Sequence, residues 1–270
     1  MSSTSVAITT DVAEHRIPLG WIRDTKAIVR RYLTHYIRIP QLLVFSTIQP
    51  VVFVLMFRFV FGGAIQLRGP IDYVDYLMPG IFLQTVVFGS LATAIGLASD
   101  LKSGLMERFH AMPMWTPALL VGRTLADLCR NIFVVALMMA IGFLVGWRIH
   151  TNAFGLIAGI LLLLLFGYAM SWIFATVGLA VKDPETAQAA AFPLLAPLVF
   201  ASALFVQPES MPGWLQPWAR NQPISITADA VRALTIGGPT QGLVLKSILW
   251  SVLILAIFAP IAVRMYRKAV

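Results

Sequence analysis

Charged residues are scarce in this chain: 12% of its 270 residues are Asp, Glu, Lys or Arg, while 59% are hydrophobic. Soluble domains carry about a quarter charged residues, so this composition cannot cover a soluble outside and excludes an ordinary soluble domain. Cysteine is nearly absent. The lone Cys129 excludes an internal disulfide and a cysteine metal cluster. A Gly-rich loop ending in Gly-Lys-Ser/Thr is missing, which excludes phosphate cradling in the P-loop manner. No His-Glu-x-x-His or Gly-x-Ser-x-Gly pattern occurs. The four histidines, His15, His35, His110 and His150, are scattered. Mid-span acidic residues, which a carrier driven by protons or sodium needs as ion partners, are also lacking.

What is abundant is long apolar sequence. A helix needs about 20 apolar residues to cross the hydrocarbon layer. Six runs qualify: 41–61, 77–98, 124–147, 154–181, 189–206 and 243–263. Pro193 and Pro197 interrupt the fifth, which reads as kinked. The N-terminus, MSSTSVAITTDVAEHR, lacks the basic-then-apolar pattern of a cleavable signal, so the first run is expected to remain as an anchor. The fold class is therefore all-α integral membrane with six transmembrane helices. Mild polar residues lie within the runs: Gln49, Gln84, Thr85, Ser90, Ser171, Thr176 and Ser202. These serve as helix–helix contacts or line a path.

The formal net charge is +8. Basic residues collect on the cytoplasmic side of membrane proteins, so this excess points to membrane topology and not to nucleic acid. With both termini inside, the inner connections hold about three times the Lys and Arg of the outer ones. The expected placement is a multi-pass protein of the bacterial plasma membrane with both termini cytoplasmic. Residues 1–17 read as a flexible tail and 18–270 as one membrane domain.

Three pieces are neither span nor tight turn. The first, 18–40, contains GWIRDTKAIVRRYLTHYIRIP. At 100° per residue, Trp21, Ile22, Thr25, Ile28, Val29, Tyr32, Leu33 and Tyr36 share a face. Arg23, Lys26, Arg30, Arg31, Thr34 and Arg38 share the other. An aromatic face against a basic face describes a helix in the membrane surface, serving either as an anchor to anionic lipid or as a lever pushed from the cytoplasm. Pro40 marks the corner into the first span.

The second piece, 99–123, is longer than an idle connector needs to be. Leu101, Leu105 and Phe109 recur every four residues, with Lys102, Glu107 and Arg108 off the stripe, predicting one short helix across 101–109. Pro113 and Pro117 stop it. Beyond it, Arg123 and Asp127, and Asp127 and Arg130, stand at pairing distance along a helix.

The third, 207–241, holds Trp214 and Trp218, predicted to share a helical face at the membrane interface. A second short helix follows over 224–234, with Asp229 and Arg232 spaced to pair. The segment reads as a solvated cap or as a re-entrant hairpin at the outer end of a pathway.

The order of these pieces, with GLMERFHAMPMWTPALLVGRTLADL after the second span and MPGWLQPWARNQPISITADAVRAL before the sixth, resembles the permease subunit of type-2 ABC exporters, particularly the daunorubicin-resistance group. The resemblance covers the chain past about Pro18. It implies two permease copies, identical or different, each contacting a separate ABC ATP-binding subunit that holds ATP and Mg; this chain would bind no cofactor. The 101–109 segment, with Leu101, Leu105, Glu107, Arg108, Phe109 and Pro113, would be the coupling helix. The helix carrying Trp21, Arg23, Lys26, Arg30 and Tyr32 would lie beside it. The outer re-entrant helices, with Trp214, Trp218, Asp229 and Arg232, would shape the exit. A hydrophobic or amphipathic cargo, drug or lipid-like, is preferred over polysaccharide or glycolipid. Two rivals remain: an intramembrane lipid-modifying enzyme using His110, Glu107 and Asp127, and a self-powered carrier or channel.

Overall fold

The computed structural model describes residues 20–63, 71–110, 115 and 117–269. Among them the chain is all-helical. Helix α1 (Gly20–Arg38) leads through Ile39 alone into α2 (Pro40–Leu55). Pro40 occupies the first turn of α2, where its missing N–H costs nothing, so the expected corner is present. The same helix continues as a π-helical turn, Met56–Phe61.

Helices α3 (Tyr73–Gly89) and α4 (Leu91–Lys102) meet at Ser90. After them come α5 (Leu105–His110), α6 (Ala118–Val145), α7 (Ala153–Val181) and α8 (Pro184–Phe200). The outer segment forms α9 (Gln216–Asn221) and α10 (Pro223–Thr235), and α11 (Gln241–Ala269) closes the chain. Local chemistry sets several ends. Asn152 and Asp183 cap α7 and α8 by accepting from the backbone N–H three residues on. Gly146, at φ 105°, ends α6 in the left-handed region.

Among the described residues, four helices are long and apolar enough to cross a membrane: the joined α3–α4, α6, α7 and α11. The first expected span is built as α2 and its π turn, with Ser46–Phe61 a shorter apolar helix. The fifth differs from its expected 189–206 bounds. Asp183 and Pro184 start the helix earlier, and it stops at Phe200. Its 17 residues rise about 26 Å, against a hydrocarbon layer of about 30 Å.

Burial ranks the helices. Of the most apolar window, 67% is buried in α3–α4 and 17% in α11. The first is therefore the central rod and the second a peripheral one. The larger core packs α3, α6, α7, α8 and α10 around Leu77, Met78, Phe82 and Phe166. A smaller core at the α1 end joins Ile28, Tyr32, Leu97, Met106, Leu120, Trp172 and Tyr266.

Candidate functional site

The aromatic face of α1 docks on protein. Asp24, Thr25, Ile28, Tyr32 and Tyr36 are buried, while Arg23, Lys26, Arg30, Arg31 and Arg38 are exposed. The split follows the helical wheel except that Trp21 and Ile22, placed on the apolar face, stay exposed, and Asp24 is buried. Helix α6 comes so close at Gly122 that a Cβ there would meet Ile28 Cγ2 at 2.5 Å.

Two tyrosines tie α1 down. Tyr32 donates to Asp100 Oδ2 on α4 at 2.5 Å. Tyr36 donates to Asp127 Oδ1 on α6 at 2.6 Å. Both hydroxyls are buried beside carboxylates. Burial, then the Asp100 charge, pushes Tyr32 far above the ordinary phenol value, and burial with Asp127 pushes Tyr36 up to about 12. Both thus remain donors at neutral pH.

Asp127 is shared. Thr93 donates to its Oδ2 at 2.7 Å, and Arg123 lies 3.4 Å from the same oxygen. The four-residue Arg123–Asp127 spacing therefore closes as an ion pair, and these engagements leave Asp127 unsuited to act as a base. The three-residue Asp127–Arg130 spacing does not close. Arg130 turns to α3, donating to the Gly89 carbonyl at 2.6 Å and to Asn131 Oδ1 at 3.1 Å.

The connector after α4 departs from its prediction. One helix was expected across 101–109; instead α4 ends at Lys102 and α5 starts at Leu105. Gly104, at φ 66°, breaks them in the left-handed region that favours glycine. Leu101 therefore belongs to α4, and α5 restarts in a new phase. Its buried anchor is Met106, 1% exposed, a residue outside the expected stripe. Leu105 and Phe109 are half-buried and Arg108 is exposed. The side chain of Glu107 and the whole of Pro113 lie outside the described residues.

Among its described residues, the connector touches α1 at Phe109 and at Trp115. The Arg31 guanidinium lies 5.3 Å from the centre of the Phe109 ring. The Trp115 backbone N–H donates to Asp24 at 3.0 Å, while its ring meets Trp21 edge-on at 6.3 Å. A third strap joins Lys102 to Asp183 at 2.7 Å, linking the end of α4 to the cap of α8. The Lys102 bond and the Thr186 donors hold the Asp183 carboxyl down at about 2.

The opposite end has its own centre. Arg232 pairs with Asp229 at 2.9 Å, as their spacing predicts. Its guanidinium also donates to the carbonyls of Tyr76 at 3.0 Å, Ala203 at 2.7 Å and Leu204 at 2.7 Å. It stacks 3.6 Å over the centre of the Tyr76 ring. Helix α8 leaves its last carbonyls without intrahelical donors. Side chains of the outer segment bind the carbonyls at and just past its C-cap: Gln222 donates to Ala201 at 2.9 Å, and Arg232 donates to Ala203 and Leu204.

Trp218 lies on α9, but Trp214 sits in the turn before it, so the pair does not share a helical face; both are exposed. Sequence reasoning missed Asp75. It is 4% exposed, accepts from the Arg148 backbone N–H at 2.8 Å, and lies 2.6 Å from His150 Nε2. The partners are more than seventy residues apart, beyond any local pattern.

The ABC-2 type transporter family model matches residues 23–236. The chain belongs to this family. It is 36% identical over 232 residues to the daunorubicin resistance ABC transporter permease protein DrrB1 of Streptomyces coeruleorubidus, covering 85% of this chain and 81% of that protein. It is 26% identical over 256 residues to the Mycobacterium tuberculosis protein named "Probable doxorubicin resistance ABC transporter permease protein DrrC", covering 92% and 90%. A doxorubicin resistance permease, DrrB, of the same organism is 30% identical over 166 residues, 59% of this chain and 55% of that one. The family relationship makes this chain a multi-pass membrane permease. The relatives are named as transporter permease proteins.

Proposed function

We propose that this chain is the membrane subunit of an ATP-driven exporter. It would move a hydrophobic or amphipathic compound, drug or lipid-like, out across the plasma membrane. Two permease copies pair, each served by a separate ATP-binding subunit that holds ATP and Mg. The chain takes six spans with both termini on the cytoplasmic side, and 207–241 forms a re-entrant cap at the outer end. Family membership and the drug-resistance names of the relatives support this reading.

One observation carries the mechanism: α5 is a separate rigid piece joined to the central rod by two residues. Met106 anchors it in the inner core, and Ser103–Gly104 connects it directly to α4. A push on α5 reaches α4 through this short joint and α1 through Arg31 and Phe109. It reaches α8 through Lys102 and Asp183. The exposed Arg108, with Glu107 beside it in sequence, supplies the contact with the ATPase.

The test uses inside-out vesicles holding the permease with a co-expressed ATP-binding subunit and daunorubicin as probe. ATP-dependent uptake is expected, and Glu107→Lys should abolish it while ATP hydrolysis continues. Uptake driven by an ion gradient in vesicles with this chain alone would overturn the proposal. Labelling of single cysteines placed in each connection, on a background lacking Cys129, checks the six-span topology.

A further inference from the structure

A half-open cleft of about 1010 Å³ lies where α1 crosses α2, α4 and α6. Its lining is strongly one-signed. Arg30, Arg31 and Arg38 enter from α1, and Arg123 and Arg130 from α6, with Asp100 the carboxylate among the described lining residues. Arg123 spends part of its charge on Asp127. Arg130 closes no ion pair: it is 7% exposed, no carboxylate among the described residues lies within ion-pair distance, and Asp127, already engaged by Arg123, acts on it only from farther away. The Nε atoms of Arg123 and Arg130 are both buried without a hydrogen-bond partner. A buried cation lacking an anion is costly, and more so within a membrane.

The cleft continues into a narrower groove of about 200 Å³ between α2, α3, α4 and α6, with Ser46, Ala92, Ile95 and Arg130 lining both. Farther in, most of its exposed wall is apolar, with Pro50, Phe88, Leu91 and Val134 set beside Gln49, Thr85 and Asn131, and it reaches Gln84. Gln84 is 3% exposed and its Oε1 has no hydrogen-bond partner. From Asp100 to Gln84 the rod rises about 24 Å. A cationic chamber at one end and a narrow apolar groove along the spans match a molecule with an anionic head and a hydrocarbon chain. A free anion would occupy the chamber alone. Basic pockets between membrane helices bind anionic head groups for the same electrostatic reason.

We propose that this cleft binds the phosphate head group of an anionic membrane lipid from the leaflet beside α1, with an acyl chain in the groove toward Gln84. The site concerns occupancy and stands whether or not an ATPase drives the chain.

The full-length chain, purified in neutral detergent, is offered equal phosphatidylglycerol and phosphatidylcholine, and retained lipid is read by native mass spectrometry. Phosphatidylglycerol should be kept about tenfold over phosphatidylcholine, the scale of one charge-assisted hydrogen bond. Arg130→Gln should remove most of the preference. Because Arg130 also holds Gly89, the exposed pair Arg30→Gln with Arg38→Gln provides a variant that keeps the fold and should lower the ratio several-fold. Leu91→Trp, filling the groove, should reduce retention with the arginines intact. Equal retention of the two lipids, or indifference to Arg30→Gln with Arg38→Gln, overturns the site. Displacement of the lipid by inorganic phosphate alone would make it a free-anion site and overturn the lipid assignment, as would retention unchanged by Leu91→Trp.

Discussion

The Tyr32 hydroxyl donates to Asp100 at 2.5 Å, two residues before α4 ends at Lys102. This bond fixes α1 to the last turn of the central rod, beside the joint that carries α5. Any displacement of α5 that moves the end of α4 must therefore move α1 or break the bond.

Tyr32→Phe separates the two outcomes. It deletes a hydrogen bond to a charged group, worth about 1.5–3 kcal/mol, and keeps the ring under Arg123, 4.6 Å away. Transport per ATP hydrolysed should fall several-fold in reconstituted vesicles while the permease still assembles with the ATP-binding subunit. Unchanged coupling would mean α1 is an anchor and no lever.

Gly104 tests the joint itself. Its φ of 66° is a conformation that a Cβ makes costly, by about 1–2 kcal/mol. Gly104→Asn should be tolerated, because Asn enters this region at little cost. Gly104→Val should reorient α5 and uncouple hydrolysis from transport, with a modest loss of thermal stability from backbone strain and from moving Met106. Equal coupling in the Asn and Val variants would show that the angle at this joint is immaterial.

Arg232 holds the break after α8. Arg232→Gln leaves the carbonyls of Tyr76, Ala203 and Leu204 short of donors, a loss of about 3–5 kcal/mol in sum. Arg232→Lys should rescue little, since an ammonium cannot reproduce the planar fork. Thermal unfolding in detergent should show a large drop for both variants, and limited proteolysis should open 201–222. A stable Arg232→Lys protein would show that charge, and not geometry, is what counts there.

Features set by local pattern were readable before any coordinates. The buried face of α1 and the Asp229–Arg232 and Arg123–Asp127 pairs follow from spacing along one helix, and the break before Pro40 follows from proline itself. Features set by distant partners were not. Arg232 bonds to carbonyls 28, 29 and 156 residues away, and no periodicity encodes that. The break at Gly104 was hidden because Leu101, Leu105 and Phe109 keep an unbroken four-residue repeat across a glycine that ends one helix. The cationic cleft is split between α1 and α6, so the α1 arginines read as the basic face of a surface helix and Arg123 and Arg130 as partners of Asp127.

Alkaline pH offers a readout of α1 docking that needs no substrate. An unfolded or undocked tyrosine loses its proton near pH 10, whereas docked Tyr36 holds it to about 12, and Tyr32 is shifted further in the same direction. The docked form binds more protons above pH 10, so raising the pH favours release. Docking is therefore full below about pH 10 and weakens as the pH climbs through about 12. Tyrosinate absorbance should show a late-titrating group, and Trp21–Trp115 fluorescence should change in the same window. Tyr36→Phe should remove part of the late wave, and Tyr32→Phe with Tyr36→Phe should make the fluorescence insensitive to it. A single early tyrosine wave in the native chain would mean the aromatic face of α1 is wet, and that the lever has nothing to pull against.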